Sequence, residues 1–293
     1  MTTRRPIRLR ALAKINLSLR VLGVHADGYH ELRTTFQSIA LHDTLTLTPS
    51  HGPLTIECDD PSCPTDDSNL VWRAAERLWR ADGRRGRPTG ASVSIAKRIP
   101  MQAGLGGGSS DAAAALRGFA ALWRTSAAES RVRAIARELG ADVAFFLDGG
   151  TALGVGRGDV LYPLPDRLSA FVVLVAPPFG VSTADAYRWW DAAHARGRLA
   201  PSTGQWHEGG GERGNDLEPP VVARHPDIGS VVKQLVARGA TEAAMSGSGS
   251  VVFGTFPGEM AAMNAAASLV APGRVVTVTR TVKRAAYRRL TAV

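Results

Sequence analysis

A chain of 293 residues with 44% hydrophobic content can bury a substantial core, and its length suits two modest lobes. Its formal charge of +9 would suit nucleic acid, an anionic surface or a polyphosphate ligand, but no nucleic-acid motif accompanies the basic residues, which read mainly as solvated surface. No run approaches the roughly 18 apolar residues of a membrane-spanning helix, and the opening MTTRRPIRLR has no apolar signal core, so a soluble, cytoplasmic protein without nucleic-acid or membrane partners is expected.

From Ala13 onward residues 7 to 24 alternate, with Ala13, Ile15, Leu17, Leu19 and Val21 on one face and Lys14, Asn16, Ser18 and Arg20 on the other. This predicts a half-buried strand. An Asp27-Gly28 turn then leads to further strand-like sequence, TLTLTPS, giving an antiparallel start. Cys58 and Cys63 lie in the turn-rich ECDDPSCPTDD; in a reducing compartment neither a disulfide nor a metal site is expected. Helical spacing over Asn69 to Trp79 precedes a strand, ASVSIAKRIP, closed by Pro100.

SSDAAAALRGFAALW predicts a helix starting at Ser109, with two hydroxyls and an acid supplying its cap. A second helix over 127 to 139 stops at Gly140. Strands follow over 150 to 176, including FVVLVAPP, then a helix over 182 to 195 and a mobile loop over 197 to 214. Helices over 217 to 238, the turn MSGSGS, the strand VVFGTF, a helix and the strand VVTVT complete the chain. A boundary near residue 160 divides it into 1–160 and 161–293, and no internal repeat is present.

The strongest chemical signal is PMQAGLGGGSSDAAAAL, residues 100 to 116, where a strand, a glycine run and a helix start follow directly. Glycines let the backbone aim N–H groups inward and the helix N-terminus adds orphan donors, a cradle suited to phosphate. The run lacks the lysine of GxxxxGK[ST] and breaks GxGxxG at Ser109. GVGRGD at 154 to 159 reads as turn punctuation. Asp142, beside Val143, Phe145 and Phe146, is either a partly desolvated base or a helix cap, and Lys14 and Asn16 are either functional or exposed polar positions. Tyr29 and His30 offer an aromatic face and a hydrogen-bonding ring. The histidines show no metal spacing, and no serine-histidine-acid order can be defended.

With AKINL near its start, PMQAGLGGGSSDAAA in its middle and MSGSGS near its end, the chain resembles the GHMP kinases along nearly its whole length, and AKINLSLRVLGVHADGYHEL resembles their 4-diphosphocytidyl-2-C-methyl-D-erythritol kinase branch. The resemblance implies an α+β, two-lobed fold: a ribosomal-protein-S5-like N-terminal lobe with a left-handed βαβ element, a ferredoxin-like C-terminal lobe, and a site in the cleft between them. It implies ATP and Mg²⁺ as cofactors and a cytidine-diphosphate sugar alcohol as the small-molecule partner, in a monomer or weak homodimer of the non-mevalonate isoprenoid pathway.

By the same resemblance, Asp142 is the general base and Lys14 its catalytic neighbour, while Asn16 contacts the acceptor hydroxyl region. ATP falls to Pro100, Ala103, Gly104, Leu105, Gly106, Gly107, Gly108, Ser109 and Ser110, with Asn69 and Lys97 bordering adenine and Ser110 touching Mg²⁺. Cytidine falls to Tyr29 and His30, with Tyr187 as the second stacking surface; Ser246, Gly247 and Gly249 close against phosphate loop and substrate. Asn215, in NDLE, is expected to cap a helix. Another GHMP enzyme, such as a homoserine or mevalonate kinase, and a basic RNA-binding module are the competing expectations.

Overall fold

A computed structural model describes residues 5–195, 206–207, 211–212 and 214–293; most of the loop expected over 197–214 lies outside the described residues. The elements in chain order are β1 (Ile7–Val24), β2 (His30–Pro53), β3 (Thr55–Cys58), α1 (Leu70–Ala81), β4 (Thr89–Ala96), α2 (Gly107–Trp123), α3 (Glu129–Leu139), α4 (Ala141–Asp148), β5 (Thr151–Gly156) and β6 (Val160–Pro163). They continue through β7 (Phe171–Ala176), α5 (Thr183–Ala195), β8 (Trp206–His207), β9 (Gly211–Glu212), β10 (Gly214–Asn215), α6 (Glu218–Val222), α7 (Pro226–Ala237), β11 (Glu242–Met245), β12 (Val252–Phe256), α8 (Glu259–Ala267), β13 (Val275–Arg280) and α9 (Arg284–Leu290). Among the described residues no helix is long and apolar enough to cross a membrane.

The first sheet is organised by β2. One edge pairs antiparallel with β1; the other is shared, Leu32 to Gln37 pairing with β5 and Thr44 to Pro53 with β4. Between those stretches the β1 register jumps from Leu12↔His42 to Lys14↔Ser38, so β2 spends two more residues than its partner. Ile39, inside this bulge, bridges to Thr281 of the second half of the chain. Parallel β3 and β4, joined through α1, form the βαβ unit.

The second sheet has the order β11-β12-β7-β13, all antiparallel. Numbered along the chain and read from β13, this is 4-1-3-2, with helices between the first and second and between the third and fourth strands: the ferredoxin-like arrangement. FVVLVA is apolar throughout because both its faces are covered. Val173 and Val175 join the core beneath α7 and α8, whereas Val172, Leu174 and Ala176 face the first lobe.

Ala13, Ile15 and Leu17 of β1 meet that second face together with Ile99, Leu105 and Phe253. Each of the larger side chains contributes about 1.5–3 kcal/mol by burial, so this seam fixes the lobes against each other. The half-buried reading of β1 is thereby corrected, for Lys14, Asn16 and Ser18 on its polar face are also buried. The chain also returns across residue 160: β10 pairs parallel with β1, and Tyr287 of α9 packs in the first-lobe core and donates to Phe146 O at 2.7 Å.

Beneath α2 lies a buried charge cluster. Lys97 Nζ donates to Asp43 and, at 2.8 Å, to Asp111 Oδ2, while Asp43 Oδ1 accepts from Arg98 N and Ile99 N. Burial works against the Lys97 charge, but the attraction of Asp111 and Asp43 outweighs it and holds this ammonium above the ordinary lysine range. Replacing Lys97 by Met would leave two buried carboxylates without their cation, and a loss of about 3–5 kcal/mol in unfolding free energy is expected. Urea titration checks this; a loss below about 1 kcal/mol would mean that the cluster does not hold α2 against β2 and the end of β4.

Candidate active site

A cleft of about 1380 Å³ opens between the lobes, bordered by the β1–β2 hairpin, the glycine run, α4, α5 and the turn before β12. Its back wall is the polar face of β1. Lys14 N is turned from the strand ladder at the bulge and donates to Leu105 O at 3.1 Å, tying the glycine run to the strand.

The run ends in α2, whose N-cap is Gly106 at φ 71°, with no side-chain cap bond. The helix therefore starts at Gly107, before the hydroxyl cap expected at Ser109, and a left-handed glycine makes the entry. Ser110 N bonds to Gly106 O, which leaves the N–H groups of Gly107, Gly108 and Ser109 without intrahelical acceptors beside the cleft. Asp111, the acid that would oppose an anion there, is turned inward onto Lys97. The arrangement can hold phosphate oxygens.

Two stitches hold the run. Ser110 Oγ donates to Leu12 O at 2.7 Å, and Ser246 Oγ donates to Gly104 O at 2.9 Å while accepting from Asn16 N at 3.3 Å. Asn215 carries the second stitch further, its Nδ2 donating to Met245 O at 2.8 Å and Gly247 O at 2.7 Å. Its Oδ1 accepts from Leu217 N, so it turns the chain into α6, whose N-cap is Leu217.

Across the cleft, Asp142 lies in the first turn of α4. Gly140 is that helix's N-cap and no side chain caps it, so the capping role for Asp142 is set aside. Its Oδ2 lies 3.3 Å from Lys14 Nζ, which also donates to Asn16 Oδ1 at 2.6 Å; Asn16 Nδ2 in turn donates to Thr34 Oγ1 at 2.7 Å. Lys14 is almost wholly enclosed, whereas 30% of the Asp142 side chain faces the cleft. A buried cation thus presents an accessible carboxylate beside the α2 N-terminus. That geometry can accept a hydroxyl proton and stabilise charge developing on a neighbouring phosphoryl group.

The outer cleft is aromatic. His30 packs against Tyr187 at 4.5 Å between ring centroids, the planes tilted by 33°, and meets Trp190 edge-on at 5.6 Å. Burial, and then the negative charge of Asp142, pushes the Tyr187 phenol above its ordinary range, so it stays protonated. Tyr29 is half exposed at the hairpin tip, with the Arg157 guanidinium 3.7 Å from its ring centroid and paired to Asp27.

The cleft therefore brings together Lys14, Asn16, Tyr29, His30, Pro100, Ala103 to Ser109, Asp142, Tyr187 and Gly247. Four expected contacts turn elsewhere. Asn69 caps α1 by accepting from Val71 N and donates to Pro64 O; Lys97 is spent on its two aspartates. The Ser110 hydroxyl, expected on Mg²⁺, and the Ser246 hydroxyl are buried in the two stitches. Arg157 and Asp191, which reach the cleft from the GVGRGD turn and from α5, were missed. Arg157 lies in the GVGRGD run that reads as a turn, and Asp191, between Trp190 and Ala192, belongs to no motif.

A model of the GHMP kinases N terminal domain matches residues 69–150 and one of the GHMP kinases C terminal domain matches 202–275. The chain is 45% identical over 269 residues to 4-diphosphocytidyl-2-C-methyl-D-erythritol kinase of Solibacter usitatus, covering 87% of this chain and 83% of that protein. A solved 4-(cytidine 5'-diphospho)-2C-methyl-D-erythritol kinase superposes with a TM-score of 0.74 at 35% identity, covering 93% of this chain and 99% of that one. Homoserine kinase from Cytophaga hutchinsonii shares the fold alone, with a TM-score of 0.67 at 18% identity over 97% of this chain and 96% of that one.

The closeness of the glycine run to the second lobe yields a test. A Cβ at Gly104, whose φ is +73°, would overlap the Ser246 carbonyl oxygen, so Gly104→Ala must break the stitch or strain the run. Weakening of ATP binding by about tenfold or more is expected by calorimetry; unchanged binding would mean that this close approach does not shape the cradle.

Proposed function

As the chain belongs to the 4-diphosphocytidyl-2-C-methyl-D-erythritol kinases of the GHMP kinase family, we propose that it transfers the γ-phosphoryl group of ATP to the 2-hydroxyl of 4-diphosphocytidyl-2-C-methyl-D-erythritol. The products are the 2-phosphate and ADP. The observation that carries the mechanism is the Lys14–Asp142 contact of 3.3 Å in the same cleft as the free N–H groups of α2.

The N–H groups of Gly107, Gly108 and Ser109 take phosphate oxygens of ATP. The acceptor hydroxyl sits against Asp142, which receives its proton as the new O–P bond forms and the bond from the γ-phosphorus to the bridging oxygen of ADP breaks. Phosphoryl transfer has a loose transition state, so holding the reactants in line and stabilising equatorial charge outweigh forceful deprotonation. Lys14 serves both ends: it orients the Asp142 carboxylate and lies on the side of the developing charge. Asn16 fixes Lys14 from the other side.

Mg²⁺ fits as an ion carried by the nucleotide. Among the described residues no group of three His, Cys, Asp or Glu converges to cage a metal, and the hydroxyl of Ser110 is committed to Leu12 O. Bound with ATP, the ion would supply neutralisation of phosphate charge, and no protein cage would be needed to hold it. Tyr29, His30 and Tyr187 receive the cytosine at the outer end, setting the sugar alcohol between base pocket and phosphate cradle. Every group in this reading comes from one chain.

With ATP and Mg²⁺, ADP release should be selective for the diphosphocytidyl substrate over mevalonate, homoserine and galactose, with CDP competing. Selective turnover of another alcohol would contradict the substrate assignment. Asp142→Asn should lower kcat by about 10²–10⁴-fold while changing ATP affinity little; near-normal kcat would remove the general-base assignment.

A further inference from the structure

Beyond stacking, the outer cleft contains a hydrogen-bond arrangement that can distinguish one pyrimidine from another. His30 Nε2 lies 2.7 Å from Asp191 Oδ1, across the gap between the start of β2 and α5. Among the described residues the His30 ring makes no other hydrogen bond, so its Nδ1 is left for a ligand. The ring lines the cleft with only 12% of its side chain exposed, clamped by the face of Tyr187 and the edge of Trp190. Flipping it would break the Asp191 bond. Arg188, the nearby cation of α5, is paired with Asp185 at 2.6 Å and leaves Asp191 to His30.

We propose that Asp191 is a specificity-determining positioning residue: by accepting the Nε2–H of His30 it locks the tautomer whose Nδ1 is an acceptor, and that acceptor selects a pyrimidine bearing a 4-amino group over one bearing a 4-carbonyl. The inference rests on the reading of this pocket as the cytosine site and goes beyond it by assigning the discrimination to a residue outside the stacking pair.

The chemistry follows from the donor and acceptor inventory. A carboxylate only accepts, so its partner nitrogen must carry hydrogen; in a neutral imidazole the other nitrogen is then bare. Cytosine presents an amino donor at position 4, whereas uracil presents a carbonyl oxygen there. A uridine ligand would face acceptor with acceptor, force a tautomer that abandons Asp191, or require the ring to take up a proton at Nδ1. With the His30 ring largely covered and Asp191 half exposed at the cleft edge, each outcome weakens binding by about tenfold or more.

The test measures dissociation constants of CDP and UDP by calorimetry for the wild type, Asp191→Asn and Asp191→Glu, with ATP affinity as the control. Asparagine can rotate to donate to Nε2 and so release the lock; glutamate keeps an acceptor. The wild type should prefer CDP by about tenfold or more, Asp191→Asn should fall to within about threefold, and Asp191→Glu should recover most of the preference. ATP affinity should stay constant throughout. ¹⁵N spectra should show His30 as the Nε2–H tautomer in the wild type and a shifted population in Asp191→Asn. An unchanged preference in Asp191→Asn, or a wild-type His30 protonated at Nδ1, would overturn the lock while leaving the pocket assignment standing. A wild type that binds CDP no better than UDP would do the same; failure to bind CDP at all would overturn the pocket reading and the lock together.

Discussion

The enclosed ammonium of Lys14 is the constraint around which the cleft is arranged. A cation taken out of water needs oxygen partners, and here they are Asp142 from α4 and Asn16 from its own strand. That requirement makes the cleft side of β1 polar although it is buried. It also brings α4 against the first sheet with its first-turn carboxylate inward. The β2 bulge gives Lys14 N to Leu105 O, so the residue whose side chain meets Asp142 also holds, through its backbone, the run that forms the anion cradle.

A second buried cation performs the complementary task. Lys97 withdraws Asp111 from the α2 N-terminus and ties it to Asp43, whose other oxygen accepts from the backbone leading into the glycine run. The two lysines thus stand on opposite sides of the run, one shaping the cleft and the other supporting it from beneath. Each is paired with carboxylate, Lys14 with Asp142 and Lys97 with Asp43 and Asp111, so what they supply at the cradle is position, and the attraction for phosphate comes from the α2 N-terminus.

Much of this was legible in the sequence because its signals are local. The alternation in AKINLSL, the order of strand, glycines and helix, and the Gly140 stop each depend on neighbours in the chain. What escaped depends on partners far away. Lys97 and Ser110 have the residue types of ligand contacts, and only the folded chain shows their polar atoms spent on Asp43, Asp111 and Leu12. The alternation also carries no information about the second sheet covering Ala13, Ile15 and Leu17, so a strand buried on both faces read as half-buried. Arg157 and Asp191 became visible once the hairpin tip, the GVGRGD turn and α5 met in space.

The central claim is that Lys14 and Asp142 work as one unit on the acceptor hydroxyl. A double-mutant cycle on the single-turnover rate, using Lys14→Met, Asp142→Asn and the pair, addresses it most directly. Residues acting as a unit give a double variant about as slow as the slower single one. Losses that multiply, with no coupling between the two positions, would contradict the account.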